Sequence, residues 1–348
     1  MSRNARGGGS SSRPDPPPIL AVGAAVIDEW YAVSNLPEAD GGAFAHEVTT
    51  AFGGVGANVA VALDRLGREV GLVSRVGDDE YGRRAREHLA ETGVDGSRVA
   101  VGDDPSTRSL ILSDPDGERA IVTTGESFRH LRLDESIREA LAATETVFLT
   151  GYTPDAVSRA VLEVVASSPD PPALVFDLSG PVEELVGRGT EPATIHRLLY
   201  VADLFVVGDV AARAYFGGPD AALDRIAAAH RARADEGPDG AADGWPRAVL
   251  THGADGMTVV AAGDVASLDA FDVDVVDSTG AGDAFVAGLI DRWVAPRGES
   301  GLKDDPVAVD DGVRFAAAAA AINCESRFAQ PGLPDRDSVE AFLAERRG

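Results

Sequence analysis

The sequence is poor in several things that other chemistries require. Cys324 is its one cysteine in 348 residues, so no intramolecular disulfide forms and no cysteine-built zinc or iron–sulfur site exists. Six histidines are scattered without metal-ligand spacing. Lys303 is the single lysine; no G-x-x-x-x-G-K-[S/T] phosphate loop is present, and only Lys303 could serve as a Schiff-base amine. No apolar run approaches the roughly 18 residues that span a bilayer. The stretch Met1 to Pro18 is rich in Arg, Gly, Ser and Pro and lacks the apolar segment of a secretion signal. It reads as a disordered tail ahead of a folded chain over 19–348. These absences predict a cytoplasmic protein with no membrane partner.

Acid dominates what is there. Against 31 Lys and Arg stand 57 Asp and Glu, a formal net charge of −26 at pH 7. A surface of that sign repels nucleic acid, whose binding needs cations to neutralise phosphates, so DNA and RNA are excluded as partners. The same excess opposes a compact state unless salt shortens the Debye length, to about 3 Å at 1 M. The pattern points to a high-salt cytoplasm; an acidic protein of an Arg-favouring, GC-rich genome is the alternative. At 44% hydrophobic and 25% charged the chain has an ordinary globular composition, and its length suits one large α/β domain with a small appendage.

Hydrophobic periodicity orders the chain. Ile19 to Ile27 is an apolar run ending at Asp28 and predicts a buried first strand. A glycine-rich entry leads into a helix from Asn58 to Leu66, stopped by Gly67; a strand over Val70 to Val76 and a helix from Glu80 to Glu91 follow. Within 106–124, two strand-like runs flank Asp114-Pro115-Asp116-Gly117, a hairpin signature. With 29–50 they predict a small sheet outside the main one. From 134 onward, strands near 146–150, 173–178, 203–207 and 247–252 alternate with helices near 155–167, 209–216 and 219–233. That alternation predicts right-handed crossovers and a mostly parallel sheet covered on both faces. Residues 235–246 read as a surface loop, Val259 to Ala270 as a hairpin through Ala262-Gly263-Asp264, and helices from Gly282 complete the chain.

The strongest chemical signal is Asp277-Ser278-Thr279-Gly280-Ala281-Gly282-Asp283, between a strand-like run and a helix over 282–295. Small residues let backbone approach an anion, and the first amides of a helix point at it with the dipole behind them. Asp283, one residue beyond, could take a proton from a hydroxyl attacking a phosphoryl group held there. Equally, the glycines could make a turn and Asp283 complement the dipole. In Phe52-Gly53-Gly54-Val55-Gly56-Ala57-Asn58, the glycines make room for a polar ligand and Asn58 offers donors and an acceptor to sugar hydroxyls, or the segment is a tight turn with a capping Asn. It is no dinucleotide fingerprint, since Val59 stands where the third glycine belongs. Asp28, after Gly23, ends a strand where ligands bind in open α/β sheets, or caps that strand. Thr251-His252-Gly253-Ala254-Asp255-Gly256 offers a hydroxyl and loose backbone to phosphates, or is a plain turn.

Together these segments resemble the ribokinase family of carbohydrate kinases, the phosphofructokinase B type, from about Ile19 to Ala344. Both family signatures are present, Gly53-Gly54 to Asn58 and Asp277 to Asp283; Gly77-Asp78-Asp79 with Gly82, and Ala329-Gln330-Pro331, are similar to further family segments. The resemblance implies a three-layer α/β/α sandwich with a β lid drawn from 29–50 and 106–124, closing over sugar and pairing in a homodimer. It implies ATP with Mg2+ as phosphate donor and Asp283 as catalytic base. Gly280, Ala281 and Gly282 become the anion hole, and Asp28, Gly53, Gly54 and Asn58 the sugar contacts. Thr251, Gly253 and Gly256 lie along the nucleotide, and Asp277 with the Thr279 carbonyl matches a monovalent-cation site for K+. The family's Asn-x-x-Glu, which organises magnesium, is replaced by Gly208-Asp209-Val210-Ala211, where Asp209 is the only acid. Val55 stands where many members have Lys, which favours a non-phosphorylated sugar. A nucleoside kinase, or a sugar- or nucleotide-binding regulatory protein without catalysis, are the alternatives. Arg75, Arg108 and Arg119 read as surface or lid cations, and Cys324 as a packing residue. The thermal midpoint is expected to rise between low and multimolar KCl, and an unchanged midpoint would remove the high-salt reading.

Overall fold

The computed structural model describes residues 14–235, 247–261, 264–294 and 306–346. Among the described residues thirteen strands form two sheets. They are β1 (Ile19–Val22), β2 (Val26–Val33), β3 (Ala45–Gly53), β4 (Val70–Gly77), β5 (Val99–Gly102), β6 (Arg108–Ser113), β7 (Arg119–Thr124), β8 (Thr146–Thr150), β9 (Ala173–Asp177), β10 (Leu204–Gly208), β11 (Arg247–Thr251), β12 (Met257–Ala261) and β13 (Asp264–Leu268).

The central sheet has nine strands in the order β13-β12-β11-β10-β9-β8-β1-β4-β5. It is parallel from β11 to β5, with β12 and β13 added antiparallel at one edge. Its inner strands are continuous apolar runs because both faces are covered. One face packs helices Val55–Arg65, Ala281–Leu289, Pro306–Cys324 and Arg336–Glu345; the other packs Glu135–Ala143, Asp155–Ser167, Pro192–Val201, Asp209–Phe216 and Pro219–Asp235. This is the expected α/β/α sandwich. The second sheet, ordered β3-β2-β6-β7, stands apart from it.

Three expectations change. The run Ile19 to Ile27 is two strands in two sheets: β1 ends at Val22, and the chain crosses through Gly23-Ala24-Ala25 into β2. The break comes where Gly23 meets Gly56, since a Cβ on Gly23 would lie 2.6 Å from the Gly56 Cα. Asp28 therefore belongs to the second sheet, not to the end of a central strand. The supposed tail ends early, because Arg98 donates to the Pro14 carbonyl at 2.7 Å and Thr144 to that of Pro17 at 2.7 Å. Helix 282–295 is α-helical only over Ala281–Leu289 and continues as a π-turn over Ile290–Val294. The tail's residues 1–13, most of the 235–246 loop and the turn at Ala262-Gly263 lie outside the described residues.

The π-turn carries Asp291, whose side chain is fully buried. Arg68 Nε and Arg336 Nη2 both reach its Oδ1 at 2.5 Å, and Arg68 also donates to its backbone carbonyl at 2.9 Å. One carboxylate thus ties together the end of the first helix, the site helix and the C-terminal helix. Removing it strands three cations, since Arg292 Nε also lies 3.4 Å from Oδ2, while the Arg side chains keep about a third of their surface in water (32%, 32% and 34%). Asp291→Ala is expected to destabilise by roughly 3 kcal/mol, the low end for a broken buried pair, read as a lower urea midpoint.

Candidate active site

The site lies where the carboxyl ends of the parallel strands meet the second sheet. Helix Ala281–Leu289 starts from Gly280, whose φ of 83° is left-handed and which lies against Ala329 so closely that a Cβ would meet that residue's Cα at 2.7 Å. Glycine is required there on both counts. The Gly280 and Gly282 amides have no acceptor among the described residues, whereas the Ala281 amide bonds the Ser278 carbonyl at 3.2 Å. Two of the three amides expected in the anion hole are thus open, with the helix dipole behind them.

Asp283 is where the two glycine motifs converge. Its Oδ2 accepts from Asn58 Nδ2 at 2.7 Å. Asn58 is buried in the first turn of helix Val55–Arg65, and its Oδ1 accepts from Gln330 Nε2 at 3.0 Å. Asp28 sits on β2 in the space that Gly53 of β3 leaves open; a Cβ on Gly53 would overlap its carboxylate. Gly54 joins β3 to the helix at a φ of 95°. The expected sugar contacts are therefore gathered around Asp283.

A third carboxylate, Asp177, closes β9 and belonged to no expected motif. Its Oδ2 accepts from the Ser179 hydroxyl at 2.5 Å, and that hydroxyl is 2.7 Å from Thr150 Oγ1. The only signal for it in the sequence is the one that marked Asp28, an acid ending an apolar run.

Asp28 is buried, 7% exposed, and Asp177 and Asp283 are half-buried. Burial raises the Asp283 carboxyl from its ordinary 3.8 to about 7; the Asn58 hydrogen bond opposes the rise, and the charges of Asp177 and Asp28 add to it. Burial likewise raises Asp28 to about 6 against a hydrogen bond from Ser109, and Asp177 to about 6 against Ser179. Tyr152, which donates to Glu184 at 3.0 Å, is pushed up by burial and by the neighbouring acids. The neighbouring Asp177 and Asp28 thus disfavour a charge on Asp283 in addition to its burial. A carboxylate that exchanges its proton near neutrality, beside open amides, can deprotonate a hydroxyl and steady an anion at once.

The remaining expected residues line the same edge. Thr251 ends β11 beside Gly208, Gly253 opens the short turn Gly253–Asp255, and Gly256 closes it at a φ of 91°. Asp209 is engaged elsewhere, with His252 Nδ1 at 2.8 Å and Arg213 at 3.7 Å. Among the described residues no group of acids, His or Cys is placed to hold a metal ion. Asp277 is engaged on both oxygens: Oδ1 accepts from the Thr279 amide at 2.9 Å and from Arg119, and Oδ2 from the Phe328 amide at 2.9 Å. Arg119 is no free lid cation. From β7 it reaches Asp277, Ser278 and Thr279, clasping the second sheet to the glycine-rich loop. Arg75 also has a partner, Asp104 at 2.6 Å, and Arg108 lies over the Tyr81 ring at 4.4 Å.

The family profile described as pfkB family carbohydrate kinase matches residues 17–336. A protein of Halopiger xanaduensis named ATP-dependent ribose-1-phosphate kinase is 31% identical over 94% of this chain and 98% of its own. A nucleoside kinase of Methanothermobacter thermautotrophicus is 26% identical over 94% and 96%. The ribokinase of Arabidopsis thaliana, solved with ribose and ATP, superposes with a TM-score of 0.75 at 22% identity, over 94% of this chain and 99% of that one.

The raised carboxyls make a prediction about stability. Folded Asp177 holds its proton up to about 6, above the unfolded value of about 3.9. The native state therefore binds more protons in that window, and stability present below it is lost as pH rises through it. Asp177→Asn is expected to melt above the wild type at pH 8 and with it near pH 4 in scanning calorimetry.

Proposed function

The chain belongs to the pfkB family of carbohydrate kinases, and from that premise we propose that it transfers a phosphoryl group from ATP to the hydroxymethyl group of a small non-phosphorylated sugar, with Asp283 as base. Pentoses, hexoses and sugar acids are the substrate class. The observation that carries the reading is the Asp283 carboxyl, raised to about 7 and placed one residue past the open Gly282 amide. In this reading the sugar hydroxyl gives its proton to Asp283 as its oxygen attacks phosphorus. The bond from phosphorus to the leaving ADP breaks, and the Gly280 and Gly282 amides with the helix dipole receive the transferred charge. Asp28 and the second amide hydrogen of Asn58 hold the sugar's other hydroxyls. Thr251, Gly253 and Gly256 follow the nucleotide.

Mg2+ would accompany ATP in this reading and neutralise its phosphates, and Asp209, held by His252 at 2.8 Å, is the acid of Gly208-Asp209-Val210-Ala211 that would stand toward it. K+ stays part of the reading through the Thr279 carbonyl, which Arg119 leaves alone while it holds the Thr279 hydroxyl and the Asp277 carboxylate, and no step is assigned to the ion. The second sheet acts as the lid that excludes water. Its outer face, with Val48 and Val122 exposed (59% and 56%), is the surface proposed for a homodimer. The acid excess supports a high-salt cytoplasmic setting, and no described helix is long and apolar enough to cross a membrane.

A second reading, a phosphorylated pentose as acceptor, draws support from the similar Halopiger xanaduensis protein and its name. ADP release in high KCl with Mg2+ across ribose, fructose, sugar acids, ribose 1-phosphate and nucleosides separates the two, and also the nucleoside reading. Sugar binding by calorimetry with no ADP from any acceptor would favour a non-catalytic binding protein. With the preferred acceptor, kcat/KM is expected to rise with pH through about 7 as Asp283 ionises. Asp283→Asn is expected to lower turnover by ~10²–10⁴; near-full turnover in a folded variant would overturn the assignment.

A further inference from the structure

Behind Asp283 runs a chain of hydrogen bonds that leads away from the space open to substrate. Asn58 Nδ2 reaches Asp283 Oδ2 at 2.7 Å, Gln330 Nε2 reaches Asn58 Oδ1 at 3.0 Å, and His88 Nε2 lies 2.6 Å from Gln330 Oε1. The His88 ring is stacked on Phe52 of β3, centroids 3.6 Å apart and planes within 4°. Gln330 and Asn58 are nearly sealed from water, 4% and 5% exposed. The four residues come from helix Glu80–Ala90, the C-terminal loop, helix Val55–Arg65 and helix Ala281–Leu289.

We propose that His88 and Gln330 are positioning residues, holding Asn58 in the one amide orientation that an ionised Asp283 can accept. The proposal rests on Asp283 being the base. An ionised carboxylate only accepts hydrogen bonds, so Asn58 must turn its NH2 toward it. The Asn58 oxygen then faces Gln330, which must present its own NH2, leaving its oxygen to face His88. His88 has to donate from Nε2, which imidazolium and the Nε2–H tautomer do and the Nδ1–H tautomer does not. Flipping any one amide sets acceptor against acceptor or donor against donor in a buried place. A protonated Asp283 lifts the requirement, since its O–H can donate to the Asn58 oxygen and the whole chain can turn over. The direction of the chain and the protonation of the base are thus tied together. Asp28 of β2, Asp177 of β9 and Tyr152 also face Asp283, and Asn58 is the neighbour whose hydrogen bond favours the ionised form.

Gln330→Glu keeps size and replaces the donor with a carboxylate, so that Asn58 must turn its NH2 toward residue 330 and its oxygen toward Asp283; because the new charge also raises the Asp283 carboxyl by itself, the uncharged His88 variants decide whether the chain carries the shift. The acidic limb of kcat/KM is expected to move up by roughly one pH unit, a tenfold change in the ionisation equilibrium, with KM for ATP unchanged. His88→Ala is expected to move the limb the same way, and His88→Gln, which keeps an N–H donor, to recover part of the shift. A merely structural role would lower the melting temperature and leave the limb where it is; that result overturns the proposal. If Gln330→Glu does not fold, nitrogen-15 NMR of the wild type decides: Nε2 of His88 carrying its proton at pH 8 is the expected result, and a bare Nε2 overturns it. Turnover retained by Asp283→Asn would instead remove the base itself, whereas a dead Asp283→Asn with an unmoved limb in Gln330→Glu removes only the relay.

Discussion

The hydrogen bond from Asn58 to Asp283 joins parts of the chain 225 positions apart, and the site exists only because backbone can come close enough to make it. Gly23 against Gly56 lets the first helix start hard against the end of β1, which sets Asn58 at the mouth of the sheet. Gly280 against Ala329 does the same for the second helix and Asp283. A side chain at either crossing would push a helix outward by more than the length of a hydrogen bond can absorb.

Bringing Asp28, Asp177 and Asp283 together opposes folding and serves chemistry for the same reason. Each carboxyl is desolvated and resists ionisation, which places a proton acceptor in the range where a base is useful. Stability has to come from elsewhere. The two apolar cores on either face of the central sheet supply it, and the arginines around Asp291 pin the site helix from behind.

Much of the frame was legible in the sequence, because buried parallel strands and amphipathic helices write their periods locally. The strands at 146–150 and 173–178 and the helices at 155–167 and 209–216 match the structure within a residue. Asp28 was assigned to the wrong sheet because the apolar run passes through Gly23-Ala24-Ala25 without a polar break, and periodicity does not register a change of sheet. Asp177 carries no local motif. Arg119 looked like a surface cation, since its partners Asp277, Ser278 and Thr279 lie about 160 positions away. A longer separation, 242 positions, hides His88 from Gln330. Glycine motifs announce where backbone comes close; what the side chains then meet is written only in the fold.

The central claim is that Asp283 exchanges its proton near neutral pH and leans on Asn58 to do so. Carbon-13 NMR of the aspartate carboxyls measures this directly. The account predicts that the Asp283 signal titrates at about 7 and moves higher in Asn58→Leu. A titration at the ordinary carboxylate value, or one indifferent to residue 58, would contradict it.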